Sequence, residues 1–385
     1  MPESPAECYT EAKPGDKDPI IQVKRIAVSR PPEASPHRAI RGLRQKLAGG
    51  PPGRWLLQQL KRLIHTPLLS SSYRRVLDTF SAPDHLSFQA QPARQSRGPS
   101  GNGAPLTVMT ANLWHDWPRH RNHRSRLEAF AQLVEEQGAD VLLLQEVAHV
   151  GDFRADQWLA TRLGMAFVYG QANGDNQSNS FEEGVAVLSR FPLAEPAICY
   201  LAPRPFSLVR RLAVGVTVKA PHAEFLAISA HLGHGRRLNT RQLNRLQEWT
   251  EKTAAGRPAI VGGDFNTGED SPQMQRIRQD WLDLYRQANP DEDGTTYQLR
   301  WPWGNALLRQ RLDYIFLQHG QPGHSPWRVI EATATRSPGL AHSDHLAVVA
   351  RLKPYTDRNA RPAADGHDKH LHSTDGLVLT TQKCI

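Results

Sequence analysis

Short aliphatic runs alternate with stretches of helical periodicity between residues 105 and 354. Leu106 to Asn112 and Ala259 to Val261 have the length and composition of buried strands. Arg124 to Gln137 and Leu238 to Ala254 each place their apolar residues on one face, which predicts two amphipathic helices. Because strands and helices alternate in this way, we expect an α/β domain built in layers.

Two segments of low apolar content divide the chain. Residues 80 to 104 are rich in Ser, Gly, Pro and Gln, and residues 355 to 385 have too few apolar residues to form a core. The predicted parts are therefore a basic extension at 1 to 79, a linker at 80 to 104, a folded domain at 105 to 354 and a disordered tail at 355 to 385.

The positive charge is concentrated before residue 105. Of the net charge of +9, residues 1 to 104 hold 16 Lys and Arg against 8 Asp and Glu, which leaves the folded domain nearly neutral. Arg38 to Leu47 and Arg54 to Ile64 are predicted to be short basic amphipathic helices. Three roles stay open for them: docking on the protein itself, binding an anionic membrane surface, and binding nucleic acid phosphates.

The cellular setting is predicted from cysteine use and from the apolar runs. Cys8, Cys199 and Cys384 are too few and too scattered for a disulfide framework or a zinc cluster. No run approaches the roughly 20 apolar residues of a membrane-spanning helix, and the N-terminus is polar. We therefore expect no transmembrane segment and an intracellular, cytoplasmic location, with peripheral attachment to a membrane as the alternative.

Several predicted strands end in a carboxylate, a carboxamide or an imidazole. Asn112 ends one strand, and Glu146 follows the aliphatic run VLLL after a single Gln. An acid delivered by such a strand is costly to bury without a cation or a hydrogen-bond donor, and Mg²⁺ prefers oxygen ligands. Glu146 is therefore a candidate metal ligand, with an acid satisfied by backbone amides or an arginine as the structural alternative.

The segment AIVGGDFNT holds Asp264 and Asn266 two residues apart, on the same side of an extended chain. One side chain can orient or deprotonate a water while the other donates to a phosphoryl oxygen.

Histidines and further acids complete the set of candidates. Asp313 lies in the apolar strand RLDYIFL, and the pair Asp344 and His345 opens the last predicted strand. A buried Asp that accepts from a histidine fixes its tautomer and stabilises its protonated form. His231 ends the run FLAISAH and is open between a functional histidine and a hydrogen-bonded core histidine.

The order of these motifs resembles the exonuclease/endonuclease/phosphatase superfamily. The motifs are T-x-N-L, Q-E, G-x-A-V-L-S-R, S-A-H-L, G-G-D-F-N, R-L-D-Y-I and S-D-H. His231 is similar to the deoxyribonuclease I-like and neutral sphingomyelinase-like branches, whereas abasic-site endonucleases usually have Asn there. The resemblance implies a four-layer α/β/β/α sandwich with two mostly antiparallel central sheets and a single site at one edge.

The resemblance also implies a role for each candidate in phosphoester hydrolysis by in-line attack of water. It implies Mg²⁺, with Mn²⁺ as the alternative, bound by Glu146 with Asn112 and Asp344. The implied catalytic residues are Asp264, His345, Asp313, His231 and Asn266. The implied phosphate ligands are His231 and Asn266, to which the position of Arg211 in VRRLAVGV adds one further candidate. Arg210, or a surface position for Arg211, is the alternative.

The substrate stays open between two classes. A phospholipid or small phosphodiester suits the amphipathic segments of the extension, while a nuclease acting on DNA or RNA gains little electrostatic support from a nearly neutral domain. A catalytically silent binding or scaffold module is the alternative of another class, which the presence of every expected site residue disfavours.

Overall fold

The computed structural model describes residues 24–27, 85–93, 104–175, 180–201, 209–300, 306–320 and 327–354. The two helices predicted at 38 to 47 and 54 to 64, and the predicted tail, lie outside the described residues.

Strands and short helices make up most of the described chain. The strands are β1 Lys24–Ala27, β2 His85–Gln89, β3 Leu106–Asn112, β4 Val141–Val150, β5 Phe153–Arg154, β6 Ala166–Asp175, β7 Phe181–Ser189, β8 Leu193–Tyr200, β9 Leu212–Lys219, β10 Glu224–His231, β11 Ala259–Asp264, β12 Leu282–Asp283, β13 Tyr297–Arg300, β14 Ala306–Gln310, β15 Asp313–Gln318, β16 Trp327–Thr335 and β17 Ala347–Pro354. The helices are α1 His123–Gln137, α2 Ala155–Leu163, α3 Arg236–Ala254, α4 Pro272–Asp280 and α5 Leu284–Ala288. Within the described ranges, no helix is both long enough and apolar enough to cross a bilayer.

Two sheets form the centre of the fold, and both are mostly antiparallel. Among the described strands, the first sheet has the order β1-β2-β6-β7-β4-β3-β17-β16, with β5 added beside β4, and the second has the order β12-β15-β11-β10-β9-β8. Each sheet contains one parallel pair, β3 with β4 in the first and β10 with β11 in the second. The predicted pair of mostly antiparallel central sheets is confirmed.

Both faces of each central sheet are covered. In β3, Val108 points into the core between the two sheets, while Met109 points to the layer of α1 and α2. On the other side, Leu246 of α3 packs with Val261 and Phe316 of the second sheet. Burying a side chain of this size stabilises the fold by about 1.5–3 kcal/mol. Because both faces are buried, the strands read in sequence as continuous apolar runs, and the four-layer α/β/β/α prediction is confirmed.

The segment predicted as a linker contains a strand. β2 pairs with β6 and buries Leu86 between the sheets, with only 2% of the residue exposed. Its five residues lie among Ser, Pro and Gln, so composition averaged over the segment hid the alternation of Leu86 and Phe88. The linker prediction is therefore wrong for residues 85 to 89.

Candidate active site

The two parallel pairs bring four polar side chains to one edge of the fold. Parallel strands run in the same direction, so their carboxyl ends meet. Asn112 ends β3 beside Gln145 of β4, and His231 ends β10 beside Asp264 of β11. Asp313, which begins the antiparallel strand β15, is the register partner of Asp264.

Two glycines allow β11 to come close to its neighbours. A Cβ on Gly262 would lie 2.7 Å from the side chain of Leu143 in the facing sheet. A Cβ on Gly263, whose φ is +154°, would lie 1.8 Å from the carbonyl oxygen of Ala230 in β10. Only glycine, which has no Cβ, fits these close contacts and the positive φ of Gly263. The close approach of β11 to its neighbours brings Asp264 within hydrogen-bonding distance of Asn112.

Glu146 lies at a bulge in β4 and has a left-handed backbone, with φ 52°. Its Oε1 accepts from Nδ2 of Asn112 at 3.2 Å, and its Oε2 lies 3.3 Å from the amide nitrogen and 3.4 Å from Nε2 of His115. Burial alone would raise the pKa of Glu146, but the charges of His115 and Arg211 and the Asn112 bond lower it. The carboxylate is thus ionised, and 21% of the side chain is exposed.

Asp264 is held by hydrogen bonds to both of its oxygens. Its Oδ1 accepts from the amide nitrogen of Asn266 at 2.9 Å, and its Oδ2 accepts from Nδ2 of Asn112 at 3.1 Å. Burial, and then the negative charge of Asp313, raise the pKa of Asp264 to about 7. A carboxylate with this pKa can take up a proton near neutral pH.

His231 and Arg211 form a second pair at the same edge. Nη1 of Arg211 lies 3.1 Å from Nδ1 of His231. Because a guanidinium can only donate, Nδ1 accepts and Nε2 carries the proton, 3.5 Å from Oδ2 of Asp264. Burial, with the charge of Arg211, lowers the pKa of His231 well below its usual value, so the ring is neutral. Arg210, the alternative to Arg211, is instead buried against the ring of Tyr200.

His345 and Asp313 form a buried pair at the same edge. Nδ1 of His345 donates to Oδ2 of Asp313 at 2.8 Å. Burial lowers the pKa of His345, but the charges of Asp313, Asp264 and Asp344 outweigh it and raise the pKa to about 10. The imidazole is therefore protonated at neutral pH, and Nε2 is the nitrogen available to a substrate.

The strand predicted at His345 to Leu352 begins later. β17 starts at Ala347, and His345 forms an isolated bridge with Tyr297, whose ring centroid lies 4.8 Å from the imidazole. The exposed Asp344 precedes it, and desolvation, with the charge of Glu146, raises the pKa of Asp344. Asp344 is thus linked to the site by charge, with Ser343 as the hydrogen-bond donor to its Oδ1.

All nine predicted site residues lie at this one edge. Contacts join Glu146, Asn112, Asp264, Asn266, His231 and Arg211 in one connected set, and the pair of Asp313 and His345 adjoins it through the register partnership of Asp313 with Asp264. The ninth residue, Asp344, joins through charge.

Sequence reasoning missed the residues that hold this set in place. His115 contacts Glu146, and Tyr297 packs on His345. Thr296 accepts from the amide nitrogens of Leu312 and Asp313 through Oγ1, at 3.0 and 3.1 Å. None of the three ends an aliphatic run, the pattern that predicts the other site residues. For His115, the sequence indicates a position near the site only by its distance of three residues from Asn112.

The donor set suits a hard cation. Glu146 and the exposed Asp344 offer carboxylate oxygens whose mutual repulsion a cation would relieve. Asp264, Asp313 and His345 also offer ligand atoms that lie within 4.8 Å of one another, and Oδ1 of Asp313 is buried without a hydrogen-bond partner among the described residues. The residues at this edge therefore fit a divalent metal.

Known proteins are similar to this chain in sequence and in fold. Residues 109–345 match the profile of the Endonuclease/Exonuclease/phosphatase family. The uncharacterized protein YbhP of Escherichia coli strain K12 is 30% identical over 227 residues, which are 55% of this chain and 84% of YbhP. An endonuclease/exonuclease/phosphatase family protein from Leptotrichia buccalis has a TM-score of 0.53 at 21% identity, over 64% of this chain and 99% of its own. D. rerio TDP2, complexed with a single strand DNA product, has a TM-score of 0.51 at 17% identity, over 64% of this chain and 98% of its own.

Proposed function

The chain belongs to the endonuclease/exonuclease/phosphatase family, and on that premise we propose that it is a Mg²⁺-dependent phosphodiester hydrolase in which water is the nucleophile. The family acts in general by hydrolysis of phosphoesters. The observation that carries the proposal is the continuous set of contacts from Glu146 through Asn112 to Asp264. That set places a candidate metal ligand next to a candidate base.

Glu146 and Asp344 are proposed to hold the metal. When bound, the ion supplies Lewis-acid stabilisation of the charge that develops on the phosphoryl oxygens. Asn112 orients Glu146 through Nδ2, and its Oδ1 accepts from the amide nitrogen of Trp114 at 2.9 Å. A ligand role for Asn112 therefore stays a prediction, and the Asp264, Asp313 and His345 cluster is the alternative metal position.

Asp264 and His345 are proposed to divide the proton transfers. Asp264, with its pKa raised to about 7, accepts a proton from the attacking water. His345, whose pKa is raised to about 10, donates one to the leaving oxygen. Asp313 keeps the His345 ring in the donating orientation. Because phosphoryl transfer needs positioning more than covalent chemistry, no covalent enzyme intermediate is required.

Arg211, His231 and Asn266 are proposed to bind the phosphate. Nδ2 of Asn266 donates to the carbonyl oxygen of Leu232 at 2.8 Å and lies beside the His231 ring, and Arg211 adds a positive charge on the far side of that ring. Donors and a cation on one side of the cleft stabilise a phosphoryl group whose oxygens gain negative charge.

Two substrate classes remain candidates, a phospholipid or small phosphodiester and a nucleic acid. Nucleic acid gains support from the shared fold of D. rerio TDP2, whose structure holds a single strand DNA product. The lipid candidate rests on the basic extension, residues 1 to 79, which we propose as the segment that meets an anionic surface.

Turnover of bis-p-nitrophenyl phosphate tests the proposal. We expect hydrolysis that requires Mg²⁺, stops with EDTA and falls by at least about 100-fold in Glu146→Gln and Asp264→Asn. Glu224→Gln is the matched control, since Glu224 is exposed at the opposite end of β10 from His231. Metal-independent turnover, or equal activity of the three variants, would contradict the proposal.

A further inference from the structure

The loop between β3 and α1 exposes an aromatic side chain beside the site. Trp117 has 51% of its surface exposed, the largest fraction among the large apolar residues that the structure describes. Its neighbours in the loop are Pro118, Arg119, His120 and Arg121.

The backbone of Trp117 is held close to the candidate metal ligand. The amide nitrogen of Trp117 donates to Nδ1 of His115 at 3.0 Å, and His115 in turn contacts Oε2 of Glu146. The amide nitrogen of Trp117 is therefore connected to Oε2 of Glu146 through a single residue, His115.

Other rings support the indole on its inner side. The Phe181 ring lies 6.3 Å from Trp117 at an interplanar angle of 39°, and 5.2 Å from the rings of both His115 and His120. A ring supported on one side and exposed on the other offers a flat apolar face at low entropic cost.

The same loop and the start of α1 carry positive charge. Arg119, Arg121 and Arg124 are exposed, and only Arg121 is paired with an acid in the loop, Asp116, at 2.7 Å. The excess of cations suits a ligand with several phosphates, while the flat face suits a planar base.

We propose that Trp117 stacks on a base next to the scissile phosphate, which makes a single-stranded nucleic acid the preferred substrate. The inference rests on the proposed hydrolase function and adds the substrate class. A base in a duplex is already stacked, so only an unpaired base can present its face. A lipid surface is the weaker match, because Trp117 is the only exposed large apolar side chain in this loop, between residues 113 and 122.

Paired oligonucleotides test this base-stacking role in the full-length protein. One substrate is a labelled single-stranded DNA, and the other has the same length with abasic spacers at the positions that flank the cleavage site. For Trp117→Ala we expect KM on the normal strand to rise about tenfold, with Trp117→Phe close to wild type. On the spacer strand all three proteins should have the same KM.

Several outcomes would overturn the inference. One is an unchanged KM of Trp117→Ala on the normal strand; another is an equal rise on both strands, which would point to general damage of the site.

Ile330→Ala, a substitution of an exposed residue on β16, controls for loss of exposed apolar surface. If Trp117→Ala instead loses turnover on phosphatidylserine vesicles and keeps it on DNA, the loop contacts lipid. Absence of metal-dependent turnover on any phosphodiester would reject the hydrolase proposal itself.

Discussion

Nδ2 of Asn112 lies 3.1 Å from Oδ2 of Asp264, and this hydrogen bond joins the two central sheets at the edge that carries the candidate site. The same nitrogen also donates to Glu146. One amide group therefore fixes the distance between the candidate metal ligand and the candidate base.

Loss of that amide should lower activity more than stability. For Asn112→Ala we expect kcat to fall about 10- to 100-fold, because Glu146 and Asp264 lose their common donor. Steady-state kinetics with thermal unfolding of the same samples checks this. Asn244→Ala is the control, because Asn244 is half-buried on α3 and bonds to Arg276 of α4 instead of to a site residue. An Asn112→Ala enzyme as active as this control would contradict the role.

The left-handed backbone of Glu146 predicts a difference in stability between two variants at this position. Asn tolerates φ near +50° better than Ala does. Glu146→Asn should therefore be more stable than Glu146→Ala by about 1 kcal/mol, while both are inactive. Urea unfolding measures the difference, and equal stabilities would show that the φ of 52° carries no strain.

A buried histidine away from the site predicts how stability depends on pH. His149 bonds to Asp156 at 2.6 Å and also to Glu182, and these carboxylates outweigh burial and raise the pKa of His149 to about 9. A raised histidine pKa adds stability that is complete below the unfolded pKa of 6.5 and is lost as pH rises through 9.

We therefore expect the free energy of unfolding to fall by about 2–3 kcal/mol between pH 6.5 and 9 because of His149. His149→Gln should be less stable at pH 6.5 and should lack this part of the slope. Urea unfolding at several pH values compares the two proteins. Parallel curves would mean that His149 is not protonated in the folded state.

Arg126 ties two loops of the site together. It is buried, and its Nη1 donates to the carbonyl oxygens of Leu113 and His342, at 3.0 Å each. Arg126→Met leaves both carbonyls unsatisfied, so we expect a loss of about 1–3 kcal/mol per carbonyl in unfolding free energy.

Because one of these loops begins directly after Asn112 and the other carries Asp344, the Arg126→Met variant should need a higher Mg²⁺ concentration for half-maximal activity. Arg328→Met, at an exposed position of β16 that pairs with Lys353 at the far end of β17 from His345, controls for loss of charge. A variant that is less stable but has wild-type Mg²⁺ dependence would limit Arg126 to a structural role.

The sequence reveals which polar residues end strands but not how the ends are shaped. Asn112 and Asp264 could be predicted because aliphatic runs lead directly to them. The bulge that turns Glu146 toward Asn112 depends on the pairing of β4 with β7, which no local pattern encodes. Trp117 could not be predicted because it ends no strand and lies in a loop where it contacts His115 and Phe181.

The short strand β2 shows where composition misleads. Leu86 gains its burial from β6, far along the chain, so tertiary pairing overrides a polar local context.

The position of the metal tests the central claim most directly. A crystal soaked in Mn²⁺ gives an anomalous difference map that locates the ion without reference to turnover. We predict a peak in contact with Glu146 and Asp344, with Asp264 and His345 left to transfer protons. A peak between Asp264 and Asp313, or occupancy unchanged in Glu146→Gln, would contradict this assignment.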